Sequence, residues 1–384
     1  MSRGKTKLAM IPTIETIPLQ QLASGDHLSL QLYKFIGSRS GKKVYIQSNL
    51  HGGELTGNAV IHRLMEWLTT LESDRLMGEI WLVPVCNPVG VNIRSHHYAS
   101  GRFDPYSGHN WNRIFWEYEE KFSEIKAFAQ SQLALDPQTI QANFRQRIQA
   151  AFLALKPTID SAAGVPFHEK YRYLLQSLCL DADYVLDLHT SSDRGITYVY
   201  YFPNRQESAA LLQLEAGILL DEYDGEAFDE AFIKPWLALE EAFGELEKPI
   251  RFDVEAYTLE LGAGMQIDSE AVDRGISGIQ TYLITQGILD LPNFPCSAYP
   301  PMRFSPRSKA RRYYAPRGGI VQWRVPLGTT VQAGDDLYQL LIFNKAEKLP
   351  GVQTVQADRS GQVFDVAISQ AVSEGEYVLG VLED

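Results

Sequence analysis

Cysteine is scarce in this chain. Its 384 residues hold only Cys86, Cys179 and Cys296, far apart and without a Cys-x-x-Cys. That excludes a disulfide framework and fits a reducing compartment. Dense basic clusters are scarce too. The net charge is −12, and only Lys309-Ala310-Arg311-Arg312, read as a short linker, departs from it. A phosphate-backbone footprint is therefore missing, and no nucleic-acid partner is expected. An acidic total still allows an anionic small substrate, because a pocket sets its own field. No stretch reaches the roughly 18 apolar residues of a membrane span, and MSRGKTKLAMIPTIETIPL lacks the sustained apolar core of a secretion signal. These absences predict a soluble cytoplasmic protein without a membrane partner; a homo-oligomer is compatible with them. What is present is a globular composition, 45% hydrophobic and 11% aromatic, at a length that suggests two domains.

The most informative stretch is Lys42–Asn58. VYIQSNL reads as a buried strand. It breaks at His51-Gly52-Gly53-Glu54 and resumes as a helix over Leu55–Leu71. An imidazole and a carboxylate three residues apart, on a glycine-loosened turn, can point at one cation. The plainer reading is a helix start with Glu54 in the first turn, facing the positive end of the dipole. IWLVPV (Ile80–Val85) is a second strand, ending in Asn87-Pro88. Strand, helix, strand predicts parallel pairing and an α/β fold.

Val91–Arg113 is polar and irregular, as functional loops often are. Residues 116–156 read as an inserted helix pair forming a solvated, peripheral cover. Phe167–Leu178 is a helix. Tyr184–Leu188 is a short strand with His189 at its end, and Ile196–Phe202 is another. Asn204–Tyr223 reads as helical. Arg251–Leu261 is a strand carrying Glu260, and a closing helix spans Asp268–Ile288 with Asp268 as N-cap. Prolines between Pro292 and Pro306 mark a linker.

From about Tyr313 the chain repeats itself: Ala315, Val321, Gly334 and Leu337 match Ala357, Val363, Gly375 and Val378. Two β-hairpin units suggest a small β-sandwich that resembles the lipoyl/biotinyl-like barrel-sandwich hybrid. Lys345 lies between the halves. Its neighbours Phe343-Asn344 and Ala346 lack the acidic flank of carrier domains, so it is expected to stay unmodified.

His51 and Glu54, His189, and Glu260 each follow or end a strand. Two histidines and a glutamate form a ligand set for catalytic zinc, with a position left for water. A further carboxylate, Glu260, is placed to move the proton. Arg102, Asn112 and Arg113 offer directional contacts to a carboxylate or a developing oxyanion. The alternatives are a strand-end histidine held by Asp187, an ion-paired Glu260, and loop-bonding Arg and Asn side chains.

In order, His51-x-x-Glu54, Asn87-Pro88, Asn112-Arg113, Asp187-x-His189 and Glu260-Leu261-Gly262 resemble the succinylglutamate desuccinylase/aspartoacylase family, of the zinc-carboxypeptidase-like clan. The resemblance implies a mixed sheet flanked by helices over residues 1–300, with the helical insertion at about 116–160, and a C-terminal β domain over 310–384. It implies one Zn2+ per chain on His51, Glu54 and His189, with Glu260 as general base. Arg102 would polarise the carbonyl, with Arg94 as its competitor, and Asn112-Arg113 would grip the substrate carboxylate. The chain departs from the family where Asn110-Trp111 replaces the usual Asp-Leu. The implied activity is cleavage of an N-acyl amino acid or similar small carboxylate-bearing amide. Alternatives are a metallocarboxypeptidase acting on peptides, or a non-catalytic metal-containing binding protein with a fourth ligand from His96, His97 or His109.

Overall fold

The computed structural model describes residues 9–93, 99–118, 121–222, 226–295 and 299–384. Arg94, His96, His97 and Cys296 lie outside them. From the N-terminus, β1 (Thr13–Gln21), β2 (His27–Ile36) and β3 (Arg39–Ser48) lead into α1 (Thr56–Thr69), β4 (Met77–Val83) and α2 (Pro88–Asn92). Helices α3 (Phe122–Ser131), α4 (Pro137–Leu153), α5 (Lys156–Ile159) and α6 (Phe167–Ser177) follow. Next come β5 (Tyr184–Ser191), β6 (Arg194–Tyr201), α7 (Gln206–Ala210), β7 (Ala216–Leu219), α8 (Phe228–Glu245), β8 (Glu255–Ala263) and α9 (Ser269–Thr285). The rest is β9 (Arg303–Pro306), β10 (Ala310–Tyr314), β11 (Gly319–Arg324), β12 (Thr330–Val331), β13 (Asp336–Ile342), β14 (Gly351–Gln356), β15 (Gly361–Val366), β16 (Ala371–Val372) and β17 (Tyr377–Glu383).

One mixed sheet runs β1-β2-β4-β3-β5-β8-β6-β15-β17-β10. Its centre, β4-β3-β5-β8, is parallel, and β6 runs antiparallel to β8. Every residue of β5 is buried, as expected of a parallel strand covered on both faces. Tyr45, Val185 and Ala256 face a core built with α3, α4, α6 and α8. Val44, Leu186 and Leu259 face one built with α1 and α9. The insertion helices are therefore not only a solvated cover: Ile140, Phe144, Ile148 and Phe152 form a buried stripe at i, i+4 spacing. Asp268 caps α9, accepting from Glu270 N and Ala271 N.

Three segments differ from the sequence reading. Only Gln206–Ala210 of the expected 204–223 helix is helical. Gln213 takes a left-handed φ of 53°, and Leu214 then Ala216 and Ile218 are buried in the core, the last two on strand β7. Helix α8 was not anticipated, because Pro235 interrupts its pattern. Lys309–Arg312 is not a linker: from Ala310 onward it is strand β10, paired with β17.

The repeated C-terminal halves interlock. Gly334 N donates to Ala357 O (2.8 Å) and Gly375 N to Ala315 O (2.9 Å), each from a positive-φ turn. These strands do not stand apart from the rest. β15 pairs with β6, Asp365 opposite Gly195, so the large sheet continues into the chain end.

Behind the centre, fully buried Arg205 ties the entry of β8 to α8. It donates to Val254 O (3.1 Å) and, in a fork, to Glu240 (2.7 and 3.1 Å). Arg205→Ala strands Glu240 in the interior and is expected to cost about 3–5 kcal/mol, read as a lower midpoint in urea unfolding. A loss under about 1 kcal/mol contradicts this account.

Candidate active site

The turn after β3 is pinned by close backbone approach. A Cβ at Gly52 would meet Gly90 backbone at 2.0 Å, and one at Gly53 would meet Ser100 O at 2.8 Å. Gly52 N and Gly53 N donate to Gly101 O and Ser100 O. Asn87 completes the clamp: Nδ2 donates to Leu50 O (2.8 Å), and Oδ1 accepts from Gly90 N (2.9 Å). Glu54 therefore precedes α1 rather than sitting in its first turn, and the turn projects His51 and Glu54 over the sheet edge.

Register brings the remaining groups alongside. His189 on β5 lies opposite Glu260 on β8, and Glu260 opposite Tyr198 on β6. His51, Glu54 and His189 form a buried cluster whose ligand atoms lie within 4.8 Å of one another. Glu54 Oε1 is 2.9 Å from His51 Nδ1, and Oε2 is 2.8 Å from His189 Nδ1. Thr190 N donates to Oε2 (3.2 Å) and orients it.

The outer ring nitrogens fix the tautomers. His51 Nε2 is 3.0 Å from Asn110 Oδ1, an oxygen that also accepts from Asn112 N (2.9 Å), so Nε2 carries a proton. His189 Nε2 is 2.9 Å from Asp187 Oδ2, and Gln47 Nε2 donates to the other Asp187 oxygen (3.0 Å). In the neutral tautomers, both Nδ1 lone pairs then face a carboxylate. Acceptors turned toward one another call for a positive charge between them, as in carboxylate–histidine–metal chains. Arg102 Nη1 meets part of that demand, 3.1 Å from His51 Nδ1 and 3.4 Å from Glu54 Oε1. The donor set fits zinc.

The electrostatics agree. Burial lowers His51 and keeps it neutral. Glu54 is pushed up by burial, but His51 and His189 outweigh this and hold its carboxyl well below the usual range. Burial works against the His189 cation, yet Asp187 and Glu54 raise its value well above normal. Burial, with Glu54 adding to it, pushes Glu260 up to about 8, and among the described residues its Oε2 has no hydrogen-bond partner. A carboxyl that can gain or lose a proton near neutral pH stands beside the cluster.

Arg102 also donates to Ser192 Oγ (2.8 Å). Asn112 Oδ1 caps α8 by accepting from Phe228 N (2.8 Å), leaving its Nδ2 amide to donate to a ligand. Arg113 opens onto the same cleft of about 580 Å³, together with Asp229 and Glu260. His109 is elsewhere, bonded to Ser107 and ring-packed on His168. Asn110 and Trp111 have separate tasks: Asn110 holds His51, while Trp111 is fully buried in the core.

Sequence reasoning missed the outer wall, which comes from the C-terminal strands through Arg312, Phe364, Asp365 and Tyr377. Asp365 accepts from Ser191 Oγ and from Tyr377 OH (2.6 Å). It thereby fastens the β5–β6 turn whose Ser192 holds Arg102. The sequence carries no alternation there to mark a strand, since Arg311 and Arg312 are both exposed before buried Tyr313.

Residues 40–151 match the succinylglutamate desuccinylase/aspartoacylase catalytic domain. A crystal structure of a succinylglutamate desuccinylase/aspartoacylase family protein from Shewanella amazonensis SB2B is similar at 30% identity and TM-score 0.83, covering 96% of this chain and 98% of that one. A succinylglutamate desuccinylase/aspartoacylase from Shewanella frigidimarina NCIMB 400 is similar at 26% identity and TM-score 0.86, covering 98% of each chain. The ectoine utilization protein EutE (DoeB) from Ruegeria pomeroyi shares the fold, at 15% identity and TM-score 0.64, covering 99% of this chain and 98% of that one. No curated protein sequence matches the chain.

Proposed function

Because the chain belongs to the succinylglutamate desuccinylase/aspartoacylase family, we propose that it is a zinc-dependent amidohydrolase cleaving an N-acyl amino acid or a similar small carboxylate-bearing amide. One observation carries the reading: two histidine Nδ1 atoms converge on Glu54, with the partnerless Oε2 of Glu260 close by.

His51, Glu54 and His189 would hold the ion, which when bound supplies an acidified water and a Lewis acid for the carbonyl. Glu260 accepts the proton of the attacking water and delivers it to the departing amine. Arg102, steadied by Ser192, stabilises negative charge growing on the carbonyl oxygen. Asn112 Nδ2 and Arg113 hold the substrate carboxylate. Asp187 keeps the His189 ring oriented with its Nε2–H outward from the cluster.

The test is elemental analysis followed by turnover. Purified protein is expected to hold about one zinc per chain. A chelator should abolish hydrolysis of N-acyl amino acids, and added zinc should restore it. Zinc-loaded protein inert toward every N-acyl amino acid would sink the reading. Turnover that persists as peptides lengthen would move it to the carboxypeptidase.

A further inference from the structure

The cleft does not end at the metal cluster. It follows the sheet from β8 across β6 to the strands of the chain end. Tyr198 lies opposite Glu260 and Tyr200 opposite Thr258 in the β6–β8 register, so both rings share the Glu260 face of the sheet. Phe364 packs edge-on against Tyr198 with centroids 5.7 Å apart, and Tyr198 against Tyr200 at 5.3 Å. All three rings line the cleft, so part of the wall beyond Glu260 is aromatic. Beyond them Arg312 on β10 lines the same cleft, within electrostatic reach of Tyr200, Tyr314 and Tyr377. No carboxylate forms an ion pair with Arg312 among the described residues. Asp365 lies within its field, but its oxygens accept from Ser191 and Tyr377. A cleft of about 580 Å³ falls in the ~300–1,000 Å³ range of drug-sized ligands, far more than a two-carbon acyl group fills.

From this wall we infer an acyl subsite: on the side of the scissile amide away from Asn112 and Arg113, the protein takes a flat aromatic acyl group ending in an anionic substituent that meets Arg312. Aromatic faces favour edge-on and offset contact with a flat ring, and a guanidinium beside them pairs with a carboxylate at the ring's far end. The inference rests on the proposed hydrolase only in placing the amino-acid carboxylate at Asn112 and Arg113. The reaction remains simple hydrolysis. Water adds across the amide, the C–N bond breaks, and an aromatic dicarboxylic acid and a free amino acid leave.

The experiment compares kcat/KM for one amino acid carrying N-acetyl, N-succinyl, N-benzoyl and N-(4-carboxybenzoyl) groups. The 4-carboxybenzoyl compound is expected to be fastest. Arg312→Gln should slow it by about 10- to 100-fold, at least tenfold more than it slows the benzoyl compound, and Arg312→Lys should recover part of the loss. In parallel, calorimetry measures terephthalate binding to zinc-loaded protein, which Arg312→Gln should weaken by a similar factor. Faster turnover of N-acetyl or N-succinyl than of either aromatic substrate overturns the subsite and leaves the hydrolase standing. If no amide is cleaved, the hydrolase reading falls, and terephthalate binding alone decides: binding that Arg312→Gln weakens supports the subsite, and no binding removes it.

Discussion

Glu260→Gln is expected to lower kcat by roughly 10²–10⁴-fold, the range of a lost general acid–base group, while leaving the metal content unchanged. Glutamine has the shape of glutamate but no proton affinity near neutrality. Glu260 is absent from the His51–Glu54–His189 cluster, so removing its charge removes no ligand. Its environment also differs from that of Glu54. Two histidines hold Glu54 ionised, whereas burial pushes Glu260 up to about 8. Two neighbouring carboxyls with values driven apart suit a division into ligand and proton carrier. The check is turnover per bound zinc in both proteins. A variant within about tenfold of wild type would remove Glu260 from the reaction.

His189→Ala is expected to empty the metal site, falling from about one zinc per chain to a small fraction. The wild-type protein should also show a pH signature that the variant lacks. His189 is raised well above its ordinary 6.5, so without metal its Nδ1 holds a proton facing Glu54, and an ion must displace it. Affinity should therefore climb by about tenfold per pH unit while pH stays below the raised value, and level off once pH passes it. Stability of the metal-free protein runs the other way. The His189 cation strengthens the fold below 6.5, and that contribution is lost as pH rises through the raised value. Calorimetry in two buffers of unequal ionisation enthalpy counts the released proton. Zinc uptake with no proton release and no pH slope would contradict the assignment of the His189 proton.

Much of the centre was legible because its signals are local. VYIQSNL stops at two glycines, Asp187-x-His189 ends a β-rich run, and Asp268 precedes an amphipathic helix. Each needs only a few neighbouring residues. The outer wall was not legible, because its placement depends on which strand lies beside β6, and pairing partners far apart in sequence leave no local mark. Arg311 and Arg312 read as a charged connection until β17 supplies their neighbour. Likewise Pro235 hid α8, a helix held by burial of Phe228, Ile233, Trp236 and Phe243 rather than by intrinsic propensity. Asn110 proved to be a partner of His51, a contact that depends on how the loop folds back over the sheet edge.

The junction of β6 with β15 also orders events during synthesis. Ser191 and Asp365 are 174 residues apart, so Asp365 is made long after Ser191. A ribosome translating this chain N-terminus first exposes His51, Glu54 and His189 long before the strands that fasten the β5–β6 turn beneath Arg102. A nascent chain that has acquired its histidines and even an ion still lacks the wall that steadies its arginine and bounds its cleft. The cleft is therefore complete only once β15 and β17 are made, and a message truncated before Gly361 yields a chain with the His51–Glu54–His189 cluster but without that wall.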